Sequence, residues 1–260
     1  MRDFENADSL IPSRGSLRSG FAELEIAQFI RAGDQQTSQL FAVRVLSSSS
    51  TTHRLPPANE TLVAKLYDPL YFDHEQDDAD PFICVDLAYR REAAAYTQLK
   101  CLQGGPIPRY FGSYSLSMPV AYKGITDARQ VRRILMEHIS GADLTQLRPS
   151  QFSQAERQTI MKAIVDAETA LYNRDVANQD LYPRNVTIPN SNSAPHVSQT
   201  QPIVFVDLDH AWTSRAPFPW CRDHLLPGVP VTPLLRLIRC RPQFTHWVDW
   251  NWPSWIEKHY

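Results

Sequence analysis

Cysteine is scarce in this chain and nowhere paired. Cys84, Cys101, Cys221 and Cys240 are widely scattered, with no C-x-x-C among them, which argues against a zinc site or a disulfide framework and predicts reduced, buried thiols. The eight histidines form no H-x-x-x-H pattern and read as individual surface or core residues. No long uncharged apolar run is present, and the polar start Met1-Arg2-Asp3-Phe4-Glu5 is not a signal peptide; no membrane span is expected and a cytoplasmic or nuclear location follows by default. Strong charge of one sign is missing as well. At a net charge of −2 nothing drives counterion release, so neither nucleic acid nor a membrane surface is an expected partner.

What remains is ordinary for a globular protein: 43% hydrophobic and 21% charged residues in 260, enough for one domain or for two small lobes sharing a cleft. Residues 1–20 are polar and aperiodic and read as a flexible leader. Leu24 to Ile30, Gln39 to Leu46 and Thr61 to Tyr67 alternate as strands. Between the last two, the Ser/Thr tract Ser47 to Thr52 with Pro56-Pro57 reads as a loop insertion. The acidic stretch Asp73 to Asp80 reads as a solvated excursion. A helix is predicted from about Val85 to Leu102, with Leu87, Glu92, Ala95, Tyr96 and Leu99 on one face, ended by Gly104-Gly105-Pro106. Strands follow at Tyr110 to Tyr114 and Val131 to Ile139, the latter turning at Gly141 into a short helix. Ser153-Gln154-Ala155-Glu156 is a capping box that opens a helix ending near Asn173. Beyond Ala211 the chain is rich in Pro and Trp, with helical pattern only in short pieces.

Chemistry concentrates in Asn178-Gln179-Asp180-Leu181-Tyr182-Pro183-Arg184-Asn185, which runs into the β-branched Val186-Thr187-Ile188, and in Ile203-Val204-Phe205-Val206-Asp207, a second apolar strand ending on a carboxylate. An Asp and an Asn five positions apart, with a further Asp downstream, are what Mg-assisted phosphoryl transfer needs: one carboxylate at the attacking hydroxyl, an amide and a carboxylate on the metal. Upstream lie Lys65 in Leu62-Val63-Ala64-Lys65-Leu66, Glu92 in Arg90-Arg91-Glu92-Ala93, and the apolar segment Ile134-Leu135-Met136-Glu137-His138-Ile139.

Taken in order, these segments resemble the protein-kinase-like superfamily, in the divergent fungal-type branch whose catalytic loop reads D-L-x-P-R-N. The resemblance spans about Leu24 to Ala211. It implies an α+β, bilobal fold: a small antiparallel sheet lobe with one helix over 21–139, and a shortened, mainly helical lobe over 140–260. By the same resemblance Lys65 holds ATP phosphates and pairs with Glu92, and the backbone near Glu137, His138 and Ile139 receives the adenine edge. Asp180 accepts or orients the proton of a hydroxyl acceptor, protein or small molecule, and Asn185 and Asp207 hold Mg²⁺.

Departures from that pattern are equally concrete. Nine glycines serve the whole chain, and the turn from Arg31 to Ser38 holds only Gly33, so no glycine run can wrap a triphosphate. Asn178-Gln179 stands where the family has His-Arg, Tyr182 where it has a Lys, and Asp209 where it has a Gly. The 53 residues after Asp207 contain no A-P-E, the nearest string being Ala216-Pro217-Phe218. Trp247, Trp250, Trp252 and Trp255 are expected to pack over the shortened lobe, with a partner-binding patch as the alternative. Two rivals to a phosphotransferase stay open: a catalytically dead kinase-like binding module, and an α+β interaction protein whose Asp and Asn side chains only cap turns.

Overall fold

The computed structural model describes residues 21–33, 37–49, 55–56, 60–72, 80–122, 125–190, 202–213, 232–237 and 242–260. The leader at 1–20, most of the acidic stretch, part of the Ser/Thr tract, Ala216-Pro217-Phe218, Cys221 and Cys240 lie outside the described residues. Among the described residues no helix is long and apolar enough to cross a membrane.

The chain is α+β. Strands β1 (Ala22–Arg31), β2 (Gln39–Ser48), β3 (Thr61–Tyr67), β4 (Tyr110–Tyr122) and β5 (Ile125–Glu137) form an antiparallel sheet in the order β1-β2-β3-β5-β4. Period-two alternation in β3 sends Leu62, Ala64 and Leu66 to one face, where they join Val43, Val45 and Leu135. It sends Val63, Lys65 and Tyr67 to the other. The partners of Lys65 across the ladder, Leu40 and Ile134, share that second face. Both β4 and β5 are longer than predicted: the outer half of β4 still alternates through Ser115, Leu116, Ser117 and Met118, whereas the outer half of β5 is largely polar.

Helix α1 (Pro81–Gln98) covers the second face. It starts four residues earlier than expected: Asp80, read from sequence as part of a solvated loop, is its N-cap and accepts from the N–H groups of Phe82 and Ile83, with Pro81 in the first turn. A 3₁₀ turn at Lys100–Leu102 finishes the segment. The buried stripe runs Val85, Ala88, Tyr89, Glu92, Ala95, Tyr96, and Leu87 is exposed instead.

Helix α2 (Gln154–Tyr172) begins at the predicted capping box: Ser153 Oγ accepts from Glu156 N–H while the Glu156 carboxylate takes the Ser153 N–H at 2.7 Å. Around it lie β6 (Gly141–Asp143), β7 (Val176–Asn178), β8 (Val186–Pro189), β9 (Val204–Phe205) and β10 (Ala211–Thr213), paired β6-β8-β9 and β10-β7. Gly141 thus enters a strand rather than a short helix. A Cβ there would fall 2.2 Å from the Ile188 carbonyl oxygen, so only glycine lets β8 approach. One apolar core runs from Val63, Tyr67 and α1 through α2 to the C-terminal tryptophans.

Those tryptophans are core. Trp247, Trp252 and Trp255 are buried; the helices α3 (Pro233–Leu237) and α4 (Trp252–His259) meet where Trp252 Nε1 donates to the Leu237 carbonyl at 2.7 Å. Trp255 stacks between Trp252 (centroids 5.0 Å apart) and His259 (4.4 Å). The thiols depart from expectation: Cys84 is half-buried and Cys101 exposed, where it accepts from Arg174 Nε. Because Trp255 packs on this cluster instead of facing solvent, Trp255→Ala is expected to lower stability in urea unfolding by about 3 kcal/mol. A loss within 0.5 kcal/mol, about that of an ordinary surface substitution, would return the tryptophans to the role of a binding patch.

Candidate active site

The site is built around one buried ammonium. Strand parity puts Lys65 on the α1 side of the sheet, 1% exposed, and helical spacing puts Glu92 in the middle of the α1 apolar stripe, 0% exposed. Lys65 Nζ lies 2.7 Å from Glu92 Oε2, 2.8 Å from Asp207 Oδ1 and 3.4 Å from Asp209 Oδ2. An ammonium has three donors, and each has a carboxylate. Tyr67, two residues along the same face, donates its hydroxyl to Glu92. The expected Lys65–Glu92 pairing is present, and Asp207 joins it from a segment 142 residues away.

Asp207 is carried there by the β8-β9 ladder. Val186 pairs with Phe205, and one step further the Val206 N–H donates to the Asn185 carbonyl at 3.0 Å. Asn185 and Asp207 therefore flank the same end of that ladder. Asn185, 3% exposed, donates Nδ2 to the Asp180 carboxylate at 2.8 Å and to its carbonyl at 2.9 Å. The loop between Asp180 and Asn185 is closed by a 3₁₀ turn at Pro183–Asn185, and the Leu144 N–H bonds the Pro183 and Val186 carbonyls from β6. Arg184 brings one Nη to both Asp180 oxygens, at 2.8 and 2.9 Å, and stacks over Tyr182. Lys65, Glu92 and Asp207 thus share side-chain contacts, Asn185 and Asp180 share their own, and the backbone bond from Val206 to Asn185 sets the two groups side by side.

Glu137, His138 and Ile139 sit at the end of β5. The Glu137 carboxylate accepts from the Arg109 N–H at 3.0 Å while the Glu137 N–H donates to the Arg109 carbonyl at 2.9 Å, so this side chain fastens the strand end to the start of β4. His138 and Ile139 are half-buried just beyond it, and burial holds the His138 pKa below its ordinary value.

Three contributors carry no clear signal in the sequence. Asp209 reads there only as a changed turn. It is buried, its own N–H donates to Asp207 Oδ1 at 3.3 Å, and its second oxygen lies 2.6 Å from His210 Nδ1. Asn178 Oδ1 accepts the Asp180 N–H at 3.0 Å and sets the loop; an Asn two residues before an Asp is the usual sequence signal for such a turn. Arg31, at the end of β1, comes within 3.6 Å of Asp207 Oδ2.

The electrostatics follow from crowding. Burial disfavours the charge on Lys65, yet Asp207, Asp209 and Glu92 hold its pKa well above normal. Burial pushes Glu92 up to about 7 despite Lys65, and pushes Asp207 up in the same way. Asp209 is driven down: burial opposes its charge, but Lys65 and the His210 hydrogen bond prevail. Among the described residues no group of three or more His, Cys, Asp or Glu side chains is arranged as a metal site by itself. The acceptors near the site are oxygens of Asn185 and Asp207, hard donors of the type that binds Mg²⁺ together with ligand phosphates. Three carboxylates against one ammonium also leave negative charge that a dication would offset.

No protein-family model matches this chain, and no curated protein is similar to it.

Two outcomes follow from the cluster. Lys65→Met strands Glu92, Asp207 and Asp209 without their counter-ion and is expected to cost about 3–5 kcal/mol by urea unfolding, the scale for breaking a buried pair; a loss below 1 kcal/mol would mean that the carboxylates are solvated. For Glu92, a folded pKa raised from 4.5 to about 7 means that its proton stabilises the fold below pH 4.5, a contribution lost as pH rises to about 7. Glu92→Gln keeps the shape without the titration. Its stability should vary less than that of the parent between pH 4.5 and 7, and identical profiles would refute the shift.

Proposed function

We propose that the chain is an ATP- and Mg²⁺-dependent phosphotransferase of protein-kinase-like, bilobal build, with the sheet lobe at 21–139, the helical lobe at 140–260 and a hydroxyl acceptor. The observation that carries this reading is the bridge from Lys65 to both Glu92 and Asp207, continued through Asn185 to Asp180. An interaction protein with turn-capping Asp and Asn residues has no use for a buried lysine drawn to acidic groups from two distant segments.

In this reading Lys65 binds the phosphates nearest the nucleoside, and the segment Glu137–Ile139 borders the base. Asn185 and Asp207 would hold Mg²⁺, which supplies charge compensation as the terminal phosphoryl leaves. Asp180 takes up the proton as the acceptor oxygen bonds to the γ-phosphorus and the bond to the β-phosphate oxygen breaks, releasing ADP. Asn185 Nδ2 orients the Asp180 carboxylate for that step. Without A-P-E, or the Arg that answers to activation-loop phosphate, the acceptor is a small hydroxylated molecule and the activity is not gated by phosphorylation.

One observation favours a second reading, a nucleotide-binding module without turnover: both Asp180 oxygens are already engaged by Arg184, one of them also by Asn185. Turnover decides between them. ATP with Mg²⁺ at one hundred times its Kd should stabilise the protein by about 2.7 kcal/mol in thermal unfolding. Asp207→Asn should remove the Mg²⁺-dependent part, and Asp180→Ala should retain binding while abolishing labelled-phosphate transfer to a metabolite pool. A Mg²⁺-dependent shift unchanged in Asp207→Asn would sink the metal assignment. Asp180-dependent labelling of generic protein acceptors alone would sink the small-acceptor assignment.

A further inference from the structure

The turn after β1 lacks the glycines that would let its backbone wrap a phosphate chain, and its one described glycine is already occupied. Gly33, at φ +145°, has the backbone freedom a phosphate loop uses. Yet its N–H donates to Gln39 Oε1 at 2.7 Å, and its carbonyl accepts from Gln39 Nε2 at 2.9 Å. Gln39 is buried, so this two-way clasp is fixed from within the sheet. The Gly33 amide is spent on the fold. Lys65 has three donors facing three carboxylates, so it reaches a phosphate only by releasing one of them and leaves room for a further cation at the phosphate chain.

Arg31 differs from both. Its side chain is 37% exposed at the mouth of the site, and one Nη lies a loose 3.6 Å from Asp207 Oδ2, the oxygen that Lys65 leaves free. Its Nε is shielded from solvent and has no hydrogen-bond partner among the described residues. With Nε shielded, an incoming phosphate would meet the terminal nitrogens of a planar guanidinium that is partly exposed and only loosely held beside the carboxylate assigned to the metal.

We propose that Arg31 is a phosphate-binding residue of this site, supplying from the end of β1 the contacts that glycine amides cannot. The inference rests on the nucleotide-binding reading above, and it assigns the recognised group to the polyphosphate rather than to the nucleoside. Calorimetric titration of Mg-ATP, Mg-tripolyphosphate and adenosine against the parent, Arg31→Gln and Arg31→Lys tests it. Arg31→Gln should weaken ATP and tripolyphosphate by roughly tenfold or more, the range for one hydrogen bond to a charged group. Adenosine binding should stay unchanged, and Arg31→Lys should recover part of the loss. Equal ATP affinity in the parent and Arg31→Gln overturns the role of Arg31 and leaves nucleotide binding standing. A parallel loss of adenosine binding, or of the ligand-free melting temperature, makes Arg31 a structural residue and overturns it too. A parent protein that binds none of the three ligands overturns the nucleotide reading itself.

Discussion

Moving an ammonium out of water costs several kcal/mol, and Lys65 is almost entirely out of water. That cost is met only if carboxylates arrive from elsewhere in the chain, and they do: one from α1 and two from the segment after β9. Much of the architecture can be read as the means of delivering them. β3 must present odd-numbered residues to α1, α1 must carry an acid in its apolar stripe, and the β8-β9 ladder must end beside the sheet. If any of these elements slips in register, the ammonium is left buried and unpaired. The pairing is weak evidence of net stability, since an apolar triad of equal volume could pack as well. It is strong evidence of a specified arrangement.

A second, quieter constraint holds the loop that carries Asp180. Its backbone is fixed by Asn178 on one side and by the Leu144 N–H on the other, while Asn185 ties the carboxylate to the strand that leads to Asp207. The two backbone bonds are neutral and of modest net value, about 1 kcal/mol each, and the Asn185 bond to the carboxylate about 1.5–3 kcal/mol. What they contribute is position. They let the Asp180 carboxylate and the Lys65 cluster belong to one continuous network even though the two groups rest on different sheets.

The legible parts of the sequence were those where local chemistry and tertiary role coincide. Lys65 and Glu92 were legible only through the order of the segments: alone, a strand lysine and a helix glutamate beside two arginines read as solvent-facing. Asp180, Asn185 and Asp207 stand out because their spacing matches a demand of metal-assisted chemistry. The capping box at Ser153 and Glu156 places the α2 start for the same reason: the bonds are short-range. Less legible were features decided by long-range contact. Asp80 looked like one more acid in a solvated stretch until Pro81 is seen to open a helix. Asp209 looked like a lost glycine, and only the position of Lys65 gives it a partner. Arg31 and Gln39 carry no pattern, since their meaning depends on which strand end hangs over which carboxylate. The outer half of β5 lacks apolar alternation and is a strand by its pairing with β4.

The raised pKa values have two causes: burial disfavours the charge on Glu92 and Asp207, while the surrounding carboxylates hold the proton on Lys65. Asp209 goes the other way: Lys65 and the His210 hydrogen bond favour its charge in the folded state, so this carboxylate supports the fold that buries it. One of its oxygens takes the third Lys65 donor, and the other holds His210. The Asp207 oxygen that Lys65 does not touch is the one that Arg31 approaches. Asp207 thus meets a buried cation on one oxygen and a partly exposed one on the other, which fixes the carboxylate between the core and the surface.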